Sequence, residues 1–593
     1  MLSFIIVFSV CSLSFESFAS SDTNGDTLGE IYFLDTGENG TDHRFVDKDG
    51  NEMPKTSPAV KQNRLAKAKA SSSLPSSYDS RDAGLITSVK SQGSTGCCWA
   101  FSTMAALESD AVSKSYMTLD EANFSEAHLV WFAYNSTTDE SNRTYGDYHS
   151  ISSSPYLYGG NWSVSSSTLA TLTGIATESD YPFSSSASAM GNYEESERYN
   201  HESGLIIDGA IQLTSASEIK SWIMEHGACT MSIMYDSTYE YNSSYYNPDF
   251  DSENDSTNHM ITAVGWDDDY DVSNFSSDNT PSSNGAWLIK DSWGTRQHTK
   301  GYYWLSYEDT SLDSENITGF TVREDTDIYN NYSYNGINYD SSISFGSQSA
   351  IANIFTADGY EQLTTIGYQT IQEYQNITVQ VYNNVSDSNP VSGTLVTTEQ
   401  ISQSNTGYHT YDLETPVNIY PGMNFSIVLT YENQDGSDAW FPCERNYDDY
   451  TYSQYSCSAG QSFLRYGSWY DVLDFNSSVR NVYISAFTKC VHQYDEITTA
   501  ATCVDDGIVK NVCSQCGYTT TVQVIPATGS HDWGEWSEYE ETNSNYIIST
   551  SVCQTCGAVR SRKIYDGHNT VTLQELISMI FRRVFALFGI TIE

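Results

Sequence analysis

The chain has 593 residues, 76 of them acidic and 27 basic, for a formal net charge of −49. That length exceeds a single hydrophobic core, so several domains are expected. A charge of this sign and size repels phosphate backbones and anionic bilayers, which excludes partners held by long-range attraction to nucleic acid or acidic membranes.

At the N-terminus Leu2 to Leu13 is mostly apolar and Ser17-Phe-Ala19 fits a small-x-small cleavage site, so residues 1–19 are read as a signal peptide. A basic n-region is missing, and Val10 before Cys11 is a poor fit to a lipid-anchor signal. Residues 20–73 are polar, with a Lys/Ala/Ser-rich stretch from Leu65 to Ser73, and are read as a pro-segment or linker. Two acidic clusters, Asp22/Asn24/Asp26 and Asp47/Asp49/Asn51, stop short of a full calcium loop and are read as solvated turns.

The stretch Gln92-Gly-Ser-Thr-Gly-Cys-Cys-Trp-Ala-Phe-Ser102 sets a glutamine six residues before a cysteine that opens an apolar run. A helix starting at Cys98 would aim its unpaired N–H groups and positive dipole end at the sulfur, favouring thiolate. Gln92 could then offer its amide to a developing oxyanion. Met104, Ala105, Leu107 and Glu108, then Leu129 and Val130, carry a helical pattern, as does Ile219 to His226. About 160 residues after the cysteine, His259 begins the β-branched run Met-Ile-Thr-Ala-Val-Gly-Trp266, which reads as a buried strand. A second strand, Gly285-Ala-Trp-Leu-Ile-Lys, ends in Asp291-Ser-Trp293-Gly, placing a carboxylate where it can orient the imidazole. Cysteine, histidine and carboxylate in this order, each on its own apolar element, point to nucleophilic catalysis by a thiol.

From Leu74 to Asp309 these residues resemble the papain-like cysteine peptidases. The resemblance implies an α+β, two-lobed fold with Gln92 at the oxyanion hole, Cys98 as nucleophile, His259 as general base and Asp291 in the orienting position. The spacing from the glutamine and the following tryptophan select Cys98 over Cys97. Trp293 would cover the histidine and its orienter from water. Gly159 and Gly160 resemble the paired glycines that align a substrate strand, so these three residues are assigned to the substrate site. The chain departs from the family in having Asp291 where asparagine is common, and Thr95 and Tyr158 where a disulfide often lies.

Helices followed by strands suit two lobes facing across a cleft, and the peptidase domain is placed at 74–316. From 317 to 489 the pattern becomes all-β: Gln369-Thr-Ile, Ile377 to Tyr382, Phe425 to Thr430 and Val482 to Phe487 are separated by Gly, Asn, Asp or Pro turns. A β-sandwich is expected. Ala350 to Ala357, Tyr408 to Leu413 and Ser458 to Phe463 resemble the lectin-like domain that accompanies papain-like peptidases in bacterial surface and secreted proteins. Sugar capture and structural support both stay open, since a fold does not specify a function. Cys443 and Cys457 are close enough in sequence for a disulfide, or for unpaired burial.

Residues 490–568 hold an internal repeat of about 40 residues: His492-x-Tyr then Cys513-x-x-Cys516-Gly, and His531-x-Trp then Cys553-x-x-Cys556-Gly. Such knuckles suit structural zinc, but the second unit lacks a counterpart of Cys503 and export favours disulfides, so both stay open. In 569–593, Leu573, Leu576, Ile577, Ile580, Phe581, Val584, Phe585 and Phe588 recur at helical spacing around Arg582 and Arg583, an amphipathic helix too short and too charged to span a bilayer. It suits docking, self-association or contact with a membrane interface.

These readings converge on a secreted or surface-associated cysteine endopeptidase that needs no cofactor for catalysis. It would act on proteins or peptides, with a cell-surface glycan or matrix as a further partner. The competing reading is an adhesin or glycan-binding protein whose peptidase-like lobe is degenerate.

Overall fold

The computed structural model describes residues 32–34 and 74–565 apart from short internal stretches, together with scattered positions from 574 to 582. The expected signal peptide, both acidic clusters and most of the pro-segment lie outside the described residues. So does most of the C-terminal helix, although positions 577, 580 and 581 are helical and exposed. The chain forms two compact units, Met1–Val491 and His492–Glu593.

The first unit is built around the helix Cys98–Ser113. Its Ala-rich sequence carries no Gly or Pro to interrupt it, and Trp99 through Ala111 is buried on every face, as befits a helix at the centre of a core. Helices Glu126–Tyr134 and Trp162–Ala170 pack beside it, started by Ser125 and Asn161, whose side chains accept from free N–H groups of the first turn. Trp99, Met104, Leu107, Leu129, Val130 and Leu169 fill this helical core. A second core, with Ile223, Met231, Ile261, Trp266, Trp287 and Tyr303, lies on a sheet covered by helix Ala216–His226. That helix opens with a reciprocal Ser215 and Glu218 capping box and ends at Gly227, φ +89°.

The sheet runs Leu205–Gln212, Thr318–Glu324, Cys229–Ile233, His259–Asp267, Ala286–Lys290, Tyr302–Ser306 in spatial order. Thr318–Glu324 therefore pairs on both sides with strands of the first lobe. The boundary expected at 316/317 falls just before a strand that long-range pairing assigns to the preceding lobe, which local pattern alone does not reveal.

The following region is a β-sandwich. One sheet contains Thr394–Gln403, Gln375–Asn383, Asn424–Asn433, Gln348–Thr356, Ser462–Tyr466 and Ser468–Asp471 in that order. Its inner face, with Ile351, Phe355, Ile377, Val379, Phe425 and Ile427, packs on Leu363, Ile366, Leu413, Val417 and Ile484 of the opposing sheet. The run Val482 to Phe487 is split, Val479–Val482 pairing with Trp440–Arg445 and Ile484–Cys490 with Glu361–Thr370. Tyr32–Leu34 adds to the edge strand Ser341–Ser344. No disulfide joins Cys443 and Cys457.

The first lobe and the β-sandwich share a sheet. Gly407, Tyr408 and His409 pair with Ile211, Ala210 and Gly209, so the opposing sheet of the sandwich continues into the sheet of the first lobe. Joining the edges satisfies backbone groups that would otherwise lie open. Gly407 makes the junction: its φ is +127°, and a Cβ there would sit 2.0 Å from the Ala210 carbonyl oxygen.

The second unit holds two three-stranded sheets. One comprises Tyr494–Thr499, Gly507–Cys513 and Thr519–Ile525; the other comprises Ser537–Glu540, Tyr546–Val552 and Val559–Tyr565. Each corresponds to one expected repeat.

Gly407→Ala should lower unfolding stability by about 1–3 kcal/mol through strain and clash at the seam. Denaturant unfolding checks this; an unchanged midpoint would mean that the junction bears no strain.

Candidate active site

Cys98 is the first residue of its helix. No side chain caps that helix and no acidic residue occupies its first turn, so its positive end faces the sulfur unneutralised. Burial alone would raise the thiol's pKa. The hydrogen bond and charge of His259, with backbone N–H groups of Met260 and Trp99, outweigh burial and bring it below the ordinary thiol value. Cys97 differs: it is fully buried, its sulfur lies 3.4 Å from the Tyr156 carbonyl oxygen, and burial pushes its pKa up to about 12. The register inferred from sequence thus separates a half-buried, ionisable thiol from an inert one.

His259 starts its strand where the sheet meets the helix. Its Nε2 lies 2.9 Å from Asp291 Oδ1. Burial would lower its pKa; the Asp291 carboxylate, by charge and hydrogen bond, and the Cys98 sulfur push it up to about 10. The Trp293 indole stacks on the imidazole at 4.4 Å between centroids and 16° between planes. Trp293 therefore lies over the histidine as a cover.

Asp291 stands at the end of Ala286–Lys290. The Ser292 N–H donates to its Oδ1 at 2.7 Å; burial opposes the charge, but His259 and then His298, by charge and hydrogen bond, hold the carboxylate ionised well below the usual range. Lys290, immediately before it, donates to Thr87, and Thr87 donates to Glu108 of the Cys98 helix. Lys90 adds 2.8 Å contacts to Glu108 and Glu126. Burial opposes the charge on Glu108, but Lys90 and Lys290 keep it ionised. The network fastens the strand carrying Asp291 to the helix carrying Cys98.

Gln92 is buried and bridges the same elements. Its backbone N–H donates to the Ser292 carbonyl at 2.7 Å, its Oε1 accepts from Ser292 Oγ at 2.6 Å, and its Nε2 donates to the Thr95 carbonyl at 2.8 Å. An amide nitrogen carries two protons, which leaves one for another acceptor.

The segment before Asn161 lies against the turn that precedes Cys98, the Gly96 N–H donating to the Tyr156 carbonyl at 2.9 Å. A Cβ on Gly160 would come within 2.7 Å of the Trp99 ring, whereas one on Gly159 would meet nothing within 4 Å. Gly160 answers to packing, and Gly159 faces open space.

Sequence reading missed His298. Its Nε2 lies 2.9 Å from Asp291 Oδ2 and its Nδ1 2.9 Å from Glu240 Oε1. Two carboxylates require two N–H donors, which only imidazolium supplies. Burial opposes that charge, and the two carboxylates override it to raise the pKa. Tyr235 joins the group, donating to Glu240 Oε2 at 2.6 Å and meeting the Trp293 ring edge-on. His298 sits in an irregular turn at φ +51°, where no periodicity or motif spacing marks it.

Cys98 should alkylate with iodoacetamide at a pH well below that of an ordinary thiol, while Cys97 should react only after unfolding. Peptide mapping across a pH series checks this; equal or earlier labelling of Cys97 would reverse the assignment.

Residues 74–320 match the family model for papain family cysteine protease, and residues 331–488 that for a lectin like domain. A senescence-specific cysteine protease of Arabidopsis thaliana is 25% identical over 261 residues, covering 43% of this chain and 62% of the relative. Cathepsin L of Sarcophaga peregrina is 27% identical over 238 residues, covering 39% and 58%. The chain thus spans less than two thirds of the length of these curated relatives. The crystal structure of the cysteine protease and lectin-like domains of Cwp84, a surface layer associated protein of Clostridium difficile, is 26% identical with a TM-score of 0.60, covering 70% of this chain and 89% of that one. Cwp84 after propeptide cleavage gives a TM-score of 0.59 at 26% identity, covering 70% of this chain and all of that one. By these matches the chain carries a papain-like cysteine peptidase domain over residues 74–320, where Cys98, His259 and Asp291 come together, followed by a lectin-like domain over 331–488.

Proposed function

We propose that this protein is an exported, surface-associated cysteine endopeptidase. The observation that carries this reading is an ionisable Cys98 at an uncapped helix N-terminus, facing a His259 fixed by a buried carboxylate. Cys98 thiolate attacks a peptide carbonyl carbon. The second Nε2 proton of Gln92 and the Cys98 N–H receive the oxyanion, and His259 gives its proton to the leaving amine. Water, deprotonated by His259, then releases the acyl group and restores the thiol.

Gly159 leaves room for a substrate strand to approach the sulfur, with no side chain in its path. Trp293 excludes water from the imidazole and Asp291, and contributes to the substrate site only as the wall behind His259. The lectin-like domain retains substrate or cell-surface glycan near the cleft; its match to that family and the surface-layer association of Cwp84 support this placement.

Cys98→Ala should abolish peptide hydrolysis and labelling by an epoxide thiol trap, while Cys97→Ala keeps both. A wild-type protein that takes no label would favour the degenerate, glycan-binding reading. Gln92→Ala should lower kcat about 10- to 1000-fold with little change in KM, because its proton meets the oxygen best as charge develops. A loss confined to KM would overturn that role.

The pH profile tests Asp291 and His298 together. The Asp291 carboxylate raises the His259 pKa, so thiolate and imidazolium coexist up to about pH 10 and are lost above it. Asp291→Asn should therefore shift the alkaline limb of kcat/KM to lower pH. His298→Gln, which removes the second cation on Asp291 but keeps an N–H donor, should shift it to higher pH. A downward shift in the glutamine variant would mean that His298 chiefly aims the carboxylate.

A further inference from the structure

Beyond the cleft, the second repeat collects thiols that peptide hydrolysis does not use. Cys553 and Cys556 bracket a tight turn in which the Cys553 N–H donates to the Ala558 carbonyl at 2.8 Å and the Gly557 N–H to the Cys553 carbonyl at 3.0 Å. Gly557 takes φ +71°. His531 Nδ1 lies 3.3 Å from Cys556 Sγ. The first repeat builds the same turn, with Cys513, Gly517 and Tyr518, and the same contact between His492 Nδ1 and Cys516 Sγ at 3.3 Å.

The repeats differ in their supply of cysteine. In sequence, Cys490 stands two residues before His492, whereas Gly529 stands two residues before His531. The second repeat therefore has three donors of its own, two thiols and one imidazole. The structure brings a fourth from the first repeat: Cys503, on the loop between Tyr494–Thr499 and Gly507–Cys513, with its sulfur 3.4 Å from Cys553 Sγ. Backbone bonds hold that loop in place, the Thr528 N–H donating to the Thr502 carbonyl and the Gly529 N–H to the Cys503 carbonyl, each at 3.1 Å. Ala527 N–H also donates to Asp506 Oδ1 at 2.7 Å. The residue without a counterpart in the repeat pattern is thus the one that completes the second set.

All four donor atoms lie within 4.8 Å of one another. Tetrahedral zinc with bonds of about 2.0–2.3 Å sets its donors about 3.5–3.8 Å apart, a spacing that this set meets with little adjustment, and three sulfurs with one imidazole nitrogen is a donor set zinc takes in closed structural sites.

We propose that Cys503, His531, Cys553 and Cys556 bind one zinc ion, which staples the second repeat to the first. Binding releases the three thiol protons to solvent and leaves no open coordination position, so the ion is structural.

Full-length protein, purified with and without zinc, provides the test. Metal analysis should find that Cys503→Ser loses one zinc ion per chain relative to wild type, and that Cys553→Ser loses the same. His531→Cys, which replaces the imidazole with a fourth thiol, should retain the ion. In the unaltered protein, Cys503, Cys553 and Cys556 should resist alkylation until a chelator is added and then become reactive together, and protease should then cut between the repeats near Pro526 to Ser530. Peptide hydrolysis should be unchanged in Cys503→Ser, so failure of this proposal is distinguishable from failure of the peptidase reading. Unchanged zinc content in Cys503→Ser, a Cys503–Cys553 disulfide in peptide maps, or a chelator that exposes none of the three thiols would overturn it.

Discussion

A buried carboxylate between two imidazoles is the constraint on which the first unit depends. Asp291 has given up its hydration, and it remains an anion only because His259, His298 and the Ser292 N–H all point protons at it. Each donor requires support of its own. His259 needs a rigid strand and the Trp293 ring over it; His298 needs Glu240 and an uncommon backbone angle; Ser292 needs Gln92. Removing one donor from such a site costs more than the hydrogen bond itself, because a desolvated charge is left behind.

Asparagine in the same place would orient the imidazole without raising its pKa as strongly. The carboxylate makes the imidazolium more persistent, and His298 moderates that by placing a second cation on the far oxygen. An acidic orienter in a buried site calls for a second donor, and His298 supplies it. The Lys90, Lys290 and Glu108 cluster acts one layer deeper, keeping the strand and the helix in fixed register beneath the site.

The lectin-like domain is not an appendage on a flexible tether. Its sheet continues into the sheet of the peptidase lobe through Gly407 to His409, so any load borne by one is transmitted through backbone hydrogen bonds to the other. The strand at the junction, Leu205–Gln212, is flanked by Thr318–Glu324; the former packs by the Trp162–Ala170 helix and the latter by the Cys98 helix. Continuous pairing gives a fixed relation between the lectin-like domain and the domain that carries Cys98.

Much of the site could be read in the sequence because the chemistry is tied to local pattern. A thiol at a helix start, a histidine opening a β-branched run and a carboxylate ending another each sit where their elements place them, so Gln92, Cys98, His259 and Asp291 needed no tertiary information. The alternating strands of the sandwich and the two Cys-x-x-Cys turns were legible for the same reason. Three features were decided only by tertiary structure. His298 reaches Asp291 because an irregular loop folds back, and loops carry no periodicity. Thr318–Glu324 belongs to the first lobe because of its strand partners, which lie about 100 residues away in sequence. Cys503, unmatched within its repeat, lies with its sulfur 3.4 Å from that of Cys553, and a residue brought across repeats breaks the sequence symmetry that identifies repeats at all.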